Sequence, residues 1–303
     1  MTLASKLETI SGIPITPFRQ SDGGIDWNHY EETLNRIVEQ GIEIVVPCGN
    51  TSEFYALSLD EAKEEIRRTV EIVNGRALVM AGIGYAVPTA IELGNYAKDA
   101  GADMVMIHMP VHPYVTSGGV KAYFQDIIEA IDFPTVVYFK DPEVSDQVLV
   151  ELAPLEHFIG VKYAVNNLPR FAKVVRSVPK EHGVTWICGT AEKWAPFYWN
   201  AGAKGFTSGL VNILPGKALE MLEALRRGDE SLTWKLWEEI LPFEDLRAKY
   251  NQGNNVVVIK EAMEMIGQNA GVTRAPVDQL NDEDKRLVEE MLQNWNLLQP
   301  TKG

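Results

Sequence analysis

The sequence predicts an α/β fold, a (β/α)8 or TIM barrel with a C-terminal helical extension. Three observations carry this. Short apolar runs recur eight times, at residues 12–16, 44–48, 78–82, 104–107, 135–139, 159–163, 185–188 and 205–208. With centres at Ile15, Val46, Met80, Met106, Val137, Val161, Ile187 and Thr207, the successive spacings are 31, 34, 26, 31, 24, 26 and 20 residues, each enough for one helix and two loops. The runs are apolar throughout rather than alternating, as parallel strands covered on both faces are. Eight such units in one series favour a closed barrel over an open doubly wound sheet.

The intervening segments read as helices. From about Asn28, the residues Tyr30, Leu34, Ile37 and Val38 share one face, and Gly41 ends the segment. Ser58 and Glu61 form a capping box ahead of Ala62, Ile66, Val70 and Val73, with Asn74-Gly75 as the stop. Thr89 and Glu92 repeat that device before Leu93 and Ala97. After Pro215 the pattern is helical over 217–226, 231–246, 254–268 and 283–297, which are the last barrel helix and three more. The run 256–259 belongs to the third of these, and 251–255 is an interhelical loop. Residues 1–226 are thus expected to form the barrel, and 227–303 the C-terminal helical region.

With 42 acidic and 28 basic residues among 303, the formal charge is −14, which disfavours nucleic acid and anionic membrane surfaces as partners. Two cysteines, Cys48 and Cys188, make neither a disulfide framework nor a zinc cluster and fit a reducing cytoplasm. The first residues show no secretory pattern, and the apolar runs fall far short of the ~20 residues of a membrane span. A cytoplasmic location is expected.

Barrel enzymes carry their reactive groups at the C-terminal ends of the strands. The second run ends in Cys48-Gly49-Asn50-Thr51-Ser52-Glu53, a small and polar turn before a capped helix, suited to a carboxylate or phosphate; an ordinary polar loop is the alternative. The sixth carries Lys162 between Val161 and Tyr163. A buried ammonium is costly unless paired or shifted in pKa, and a neutral buried amine is what attack on a carbonyl needs. An ion-paired structural lysine is the competing reading. The fifth delivers Tyr138, a proton shuttle or a packed ring, followed by Lys140 and Asp141. The seventh ends in Gly189 and Thr190 and the eighth in Thr207 and Ser208, groups that suit a polyhydroxylated substrate or fill a tapering barrel mouth. His108 and His112 are separated by Pro110 and make no helical metal face, so no metal site is expected. Gly82-Ile83-Gly84 lacks the third glycine of a dinucleotide fingerprint. Tyr85 lines the pocket or packs. Trp194, Trp199, Trp234 and Trp237 read as helix packing or a subunit interface.

Gly49 to Glu53 after the second strand, Tyr138 on the fifth and Gly160-Val161-Lys162 on the sixth resemble the dihydrodipicolinate synthase and N-acetylneuraminate lyase family over nearly the whole chain. The resemblance implies a homo-oligomer, dimer or tetramer, whose Lys162 forms an imine with pyruvate or another 2-oxo acid. Tyr138 would relay protons, and Asn50, Thr51 and Ser52 would hold the adjacent carboxylate. No metal or diffusible cofactor is then required.

The synthases carry two threonines after the strand-two glycine, where this chain has Asn50 first. They keep an arginine five residues beyond the tyrosine, where this chain has Glu143. Their tyrosine lent across the dimer aligns with His112 or Tyr114. The chain is more similar to the 5-dehydro-4-deoxyglucarate dehydratase group, in Tyr138 with Asp141, in Gly82, Gly84 and Tyr85, in Thr207 and Ser208, and in Lys260, Gly271, Arg274 and Pro276. The resemblance therefore implies a decarboxylating dehydratase. A dihydrodipicolinate synthase or another pyruvate aldolase is the alternative within the family, and a barrel that binds a 2-oxo acid without turnover is the alternative outside it.

Overall fold

Eight runs of residues buried on both faces close into one parallel barrel in the computed structural model, which describes residues 2–298. The strands are β1 (Ile10–Gly12), β2 (Ile44–Val45), β3 (Leu78–Ile83), β4 (Met104–Ile107), β5 (Thr135–Phe139), β6 (Phe158–Tyr163), β7 (Thr185–Cys188) and β8 (Gly205–Ser208). They follow one another in sequence order, and β8 pairs with β1. A short helix, α1 (Leu3–Lys6), precedes β1. Behind the first four strands come α2 (Trp27–Glu39), α3 (Leu59–Val73), α4 (Val87–Ala100) and α5 (Ser117–Ile131). Behind the next four come α6 (Gln147–Leu152), α7 (Leu168–Ser177), α8 (Ala191–Ala201) and α9 (Pro215–Arg227). Among the described residues three further helices follow: α10 (Glu230–Gln252), α11 (Val257–Met265) and α12 (Asp282–Asn294). None of the described helices is long and apolar enough to cross a membrane.

The core has two layers. Leu7, Ile44, Met80, Met104, Val136 and Ile187 fill the barrel, while Val137, Phe139, Val161 and Tyr163 face the helices. On β5 and β6 this alternation turns Tyr138 and Lys162 inward. Gly160 leaves space beneath them, since a Cβ there would stand 2.8 Å from Leu7 Cδ1, the side chain that plugs the bottom of the barrel.

Where the expected boundaries moved, local chemistry explains it. The first strand is Ile10–Gly12 rather than 12–16, because Pro14 and Pro17 have no N–H for a ladder. Beyond it, Ile13 N–H still donates to Ser208 O, and Ile15 N–H donates to the Asn212 side chain. Pro47 likewise ends β2 early. The Ser58–Glu61 capping box forms as expected. Thr89 and Glu92 do not make a second one: α4 starts at Val87 with Pro88 in its first turn, so Thr89 already lies inside the helix. The loop expected at 251–255 begins two residues earlier, with non-helical backbone at Lys249, Tyr250 and Asn251. Two of the tryptophans join helices: Phe197 on α8 packs against Trp234 and Trp237 on α10, and Trp237 donates to Lys193 O at 2.8 Å.

Candidate active site

A cleft of about 1200 Å³ opens at the C-terminal ends of the strands. Tyr138, Lys140 and Lys162 enter it from β5 and β6, Asn50 and Thr51 from the loop after β2, and Gly189 and Thr207 from β7 and β8. The C-terminal region forms the opposite wall, through Glu244 and Arg247 of α10 and the turn that follows it.

Lys162 is only 2 % exposed and has no hydrogen-bond or carboxylate partner among the described residues. Its nitrogen lies 4.0 Å from the centroid of the Tyr138 ring. Burial, reinforced by the nearby Lys140 ammonium, holds its pKa down to about 7 from 10.5. A substantial fraction is therefore the neutral amine near neutrality. Burial pushes the Tyr138 phenol up to about 12, so it is protonated and able to donate. The Asn50 amide nitrogen donates to that hydroxyl at 3.4 Å, while Asn50 Oδ1 is buried with no partner and stands as a free acceptor.

The loop after β2 is held under strain. Cys48 and Glu53, neither of them glycine, have φ of 56° and 57°. Buried partners hold both ends. Glu65 on α3 accepts from Cys48 N–H at 2.7 Å and from the Thr16 hydroxyl at 2.7 Å, and Glu53 pairs with Lys260 of α11 at 2.6 Å. Arg274, which binds Glu61 at the start of α3, adds its backbone N–H to Glu53. The C-terminal stretch from Lys260 to Arg274 therefore straps the loop that carries Asn50 and Thr51.

Three expected ligand groups face elsewhere. Ser52 Oγ donates to Pro14 O at 2.6 Å behind the loop, and Ser208 Oγ donates to the buried Glu192 carboxylate. Gly49 is a packing position whose added Cβ would meet Ile13 at 2.6 Å. Thr207 does line the cleft, its hydroxyl 3.4 Å from Cys188 O. Gly189 matters by its smallness, since a Cβ there would lie 3.0 Å from Lys162 Cγ. Tyr85 packs, donating to Phe54 O at 2.8 Å. His108 is stacked on Phe54 and bonded to Cys48 O, and burial lowers its pKa to about 3, so it is neutral. His112 and Tyr114 sit on an outer loop, Tyr114 85 % exposed.

Glu143, which stands at the synthases' arginine position, is exposed and does not line the cleft. Besides Lys162, the cations that reach the cleft are Lys140, Lys193 and Arg247, the last two unmarked by any sequence motif. A signal for Arg247 exists: Ile240, Phe243, Glu244 and Arg247 share the buried face of α10, so two charges occupy core positions.

The Dihydrodipicolinate synthetase family model matches residues 6–295. The chain belongs to that family. It is a lyase, as the members of the family are. It is 30% identical over 294 residues to a 4-hydroxy-tetrahydrodipicolinate synthase of Methanocaldococcus jannaschii, covering 94% of this chain and 97% of that one. It is also 30% identical over 307 residues to a probable 5-dehydro-4-deoxyglucarate dehydratase of Streptomyces avermitilis, covering 98% and 97%. A crystal structure described as dihydrodipicolinate synthase from Bacillus clausii superposes with a TM-score of 0.97 at 75% identity, over 97% of this chain and 100% of that one.

Proposed function

We propose that the chain is an imine-forming lyase that dehydrates and decarboxylates 5-dehydro-4-deoxyglucarate. The observation that carries the imine is Lys162, a buried amine without a counter-ion, beside a protonated phenol. In the following steps the reacting 2-oxo end of the substrate is numbered from its own carboxylate, C1.

Lys162 attacks C2 and water leaves, giving an iminium that withdraws electrons from C3. Loss of a C3 proton forms an enamine, which expels the C4 hydroxyl as water, with Tyr138 supplying the proton. The conjugated iminium then accepts the electron pair of the C5–C6 bond as C6 departs as CO2. The C5 enol gains a proton at C4 as its hydroxyl loses one, giving the aldehyde. Protonation of the remaining enamine at C3 restores the iminium, and its hydrolysis releases a five-carbon 2-oxo acid with a terminal aldehyde and regenerates the amine. The changes balance as substrate to product plus CO2 and H2O, without any oxidant. Asn50 and Thr51 would hold the C1 carboxylate. The exposed loop from Val111 to Val115 would contact a second copy in a homo-oligomer located in the cytoplasm.

The polar outer cleft supports the dehydratase subtype. Asn166, Thr190, Asn251 and Asn255 offer amides and a hydroxyl to a polyhydroxylated chain. The Bacillus clausii relative, by its description, favours the synthase reading instead. Turnover measured side by side distinguishes them: release of CO2 from 5-dehydro-4-deoxyglucarate supports the dehydratase, whereas condensation of pyruvate with aspartate semialdehyde at comparable kcat/KM overturns it.

A further inference from the structure

The chain is strongly acidic, yet its cleft is lined by Lys140, Lys162, Lys193 and Arg247 against only Asp141 and Glu244. An anionic ligand is therefore favoured there, and the question is which cation meets its far end. Lys193, with its side chain 30% exposed and tied only to the half-exposed Asp245, is not fixed in place. Lys140 stands by the reaction centre, 5.8 Å from the Tyr138 ring centroid and 6.0 Å from that of Tyr55. Arg247 is on the opposite wall.

The Arg247 guanidinium is built into place. Nη1 donates to Glu244 at 2.6 Å, Nε to Asn255 O at 3.1 Å and Nη2 to Asn255 Oδ1 at 3.1 Å. These use three of the five N–H groups of an arginine and leave one on each terminal nitrogen. The group lies against the end of β8: a Cβ at Gly209 would be 2.7 Å from Nη2, so glycine there is what admits it to the barrel mouth. The kinked end of α10, with Tyr250, Asn251 and Gln252 all at positive φ, folds Asn255 back onto the guanidinium. At 4 % exposure Arg247 has little water to displace, and an arginine held so rigidly loses little entropy on binding a carboxylate.

We infer that Arg247 binds the distal carboxylate of a dicarboxylate 2-oxo acid whose 2-oxo end is held at Lys162. This makes the C-terminal helices a specificity element of the barrel, selecting diacids over pyruvate-like monoacids. The inference rests on the imine at Lys162, and the test separates the two.

Borohydride trapping at Lys162 is measured against concentration for pyruvate and for 2-oxoadipate, a six-carbon diacid with no leaving hydroxyl. The wild type should be half-trapped at a lower concentration of 2-oxoadipate than of pyruvate. Arg247→Gln should abolish that preference by raising the 2-oxoadipate value about tenfold or more, the expected effect of losing a charged hydrogen bond, with a much smaller change for pyruvate. Arg247→Lys should restore part of the preference. The double variant Glu244→Gln/Arg247→Gln removes both charges of the pair and should show the same selective loss. Equal losses for both acids in these variants, a wild type without preference, or a selective loss in Lys140→Gln instead would overturn the assignment to Arg247. If pyruvate leaves no adduct on wild-type Lys162, the imine itself is overturned, and the inference with it.

Discussion

Tyr138 and Lys162 occupy paired positions on neighbouring strands β5 and β6, and the lysine nitrogen stands 4.0 Å from the centroid of the phenol ring. The register places both on the inside of the barrel, where neither has a counter-ion among the described residues. The ring face is electron-rich and favours the ammonium, but burial outweighs it and leaves a substantial fraction of the amine neutral at physiological pH.

Deleting the phenol oxygen tests the proton relay. Tyr138→Phe keeps the ring against Lys162 and should fold normally, with kcat lower by ~10²–10⁴-fold. Near-wild-type turnover would make Tyr138 a packing residue.

The Lys162 pKa of about 7, against 10.5 for the free side chain, has a definite sign. A base whose pKa is depressed by folding destabilises the fold while protonated. The penalty is complete below pH ~7 and fades as pH rises towards 10.5. Lys162→Met should therefore gain more stability near pH ~6 than near pH ~10, read by denaturant unfolding. In the wild type, the rate of adduct formation should climb through pH ~7 and level off above it. A rate that still climbs at pH ~10 would mean an ordinary lysine.

Gly189→Ala probes the wall beside the lysine. The new methyl would meet Tyr163 O at 2.9 Å and both Ala164 Cβ and Lys162 Cγ at 3.0 Å. Relief must displace the lysine stem or the end of β7, so adduct formation should fall several-fold while far-UV circular dichroism stays native. Unchanged trapping would show that the wall gives way.

Breaking the strap should be costly. Lys260 and Glu53 pair at 2.6 Å with side chains 3% and 2% exposed, and Lys260 also donates to Thr16 O and Val272 O at 2.7 Å each. Lys260→Met leaves Glu53 a buried unpaired charge and should lose ~3–5 kcal/mol in denaturant unfolding, with Lys260→Met/Glu53→Gln recovering part of it. A loss under ~1 kcal/mol would mean that water replaces the lysine.

Strands such as β4, β5, β7 and β8 were legible to the residue because burial on both faces leaves unbroken apolar runs. β1 was not, since Ile13 and Ile15 are apolar but flank Pro14, which has no N–H to continue the ladder. The lysine and tyrosine were legible as polar groups inside such runs. Ser52 and Ser208 misled because a tight turn at Ser52 and strand alternation at Ser208 send neighbouring residues to opposite sides, and composition does not say which side. Arg247 was hidden for another reason: a charged pair three residues apart on a helix reads as a solvated surface pair, and only tertiary packing brings α10 over the barrel mouth.

The most direct test of the account is mass spectrometry of the intact protein after incubation with pyruvate and borohydride. The account predicts one stable adduct, mapped to Lys162 by peptide digestion and absent from Lys162→Ala. No adduct, or equal labelling of Lys162→Ala, would contradict it.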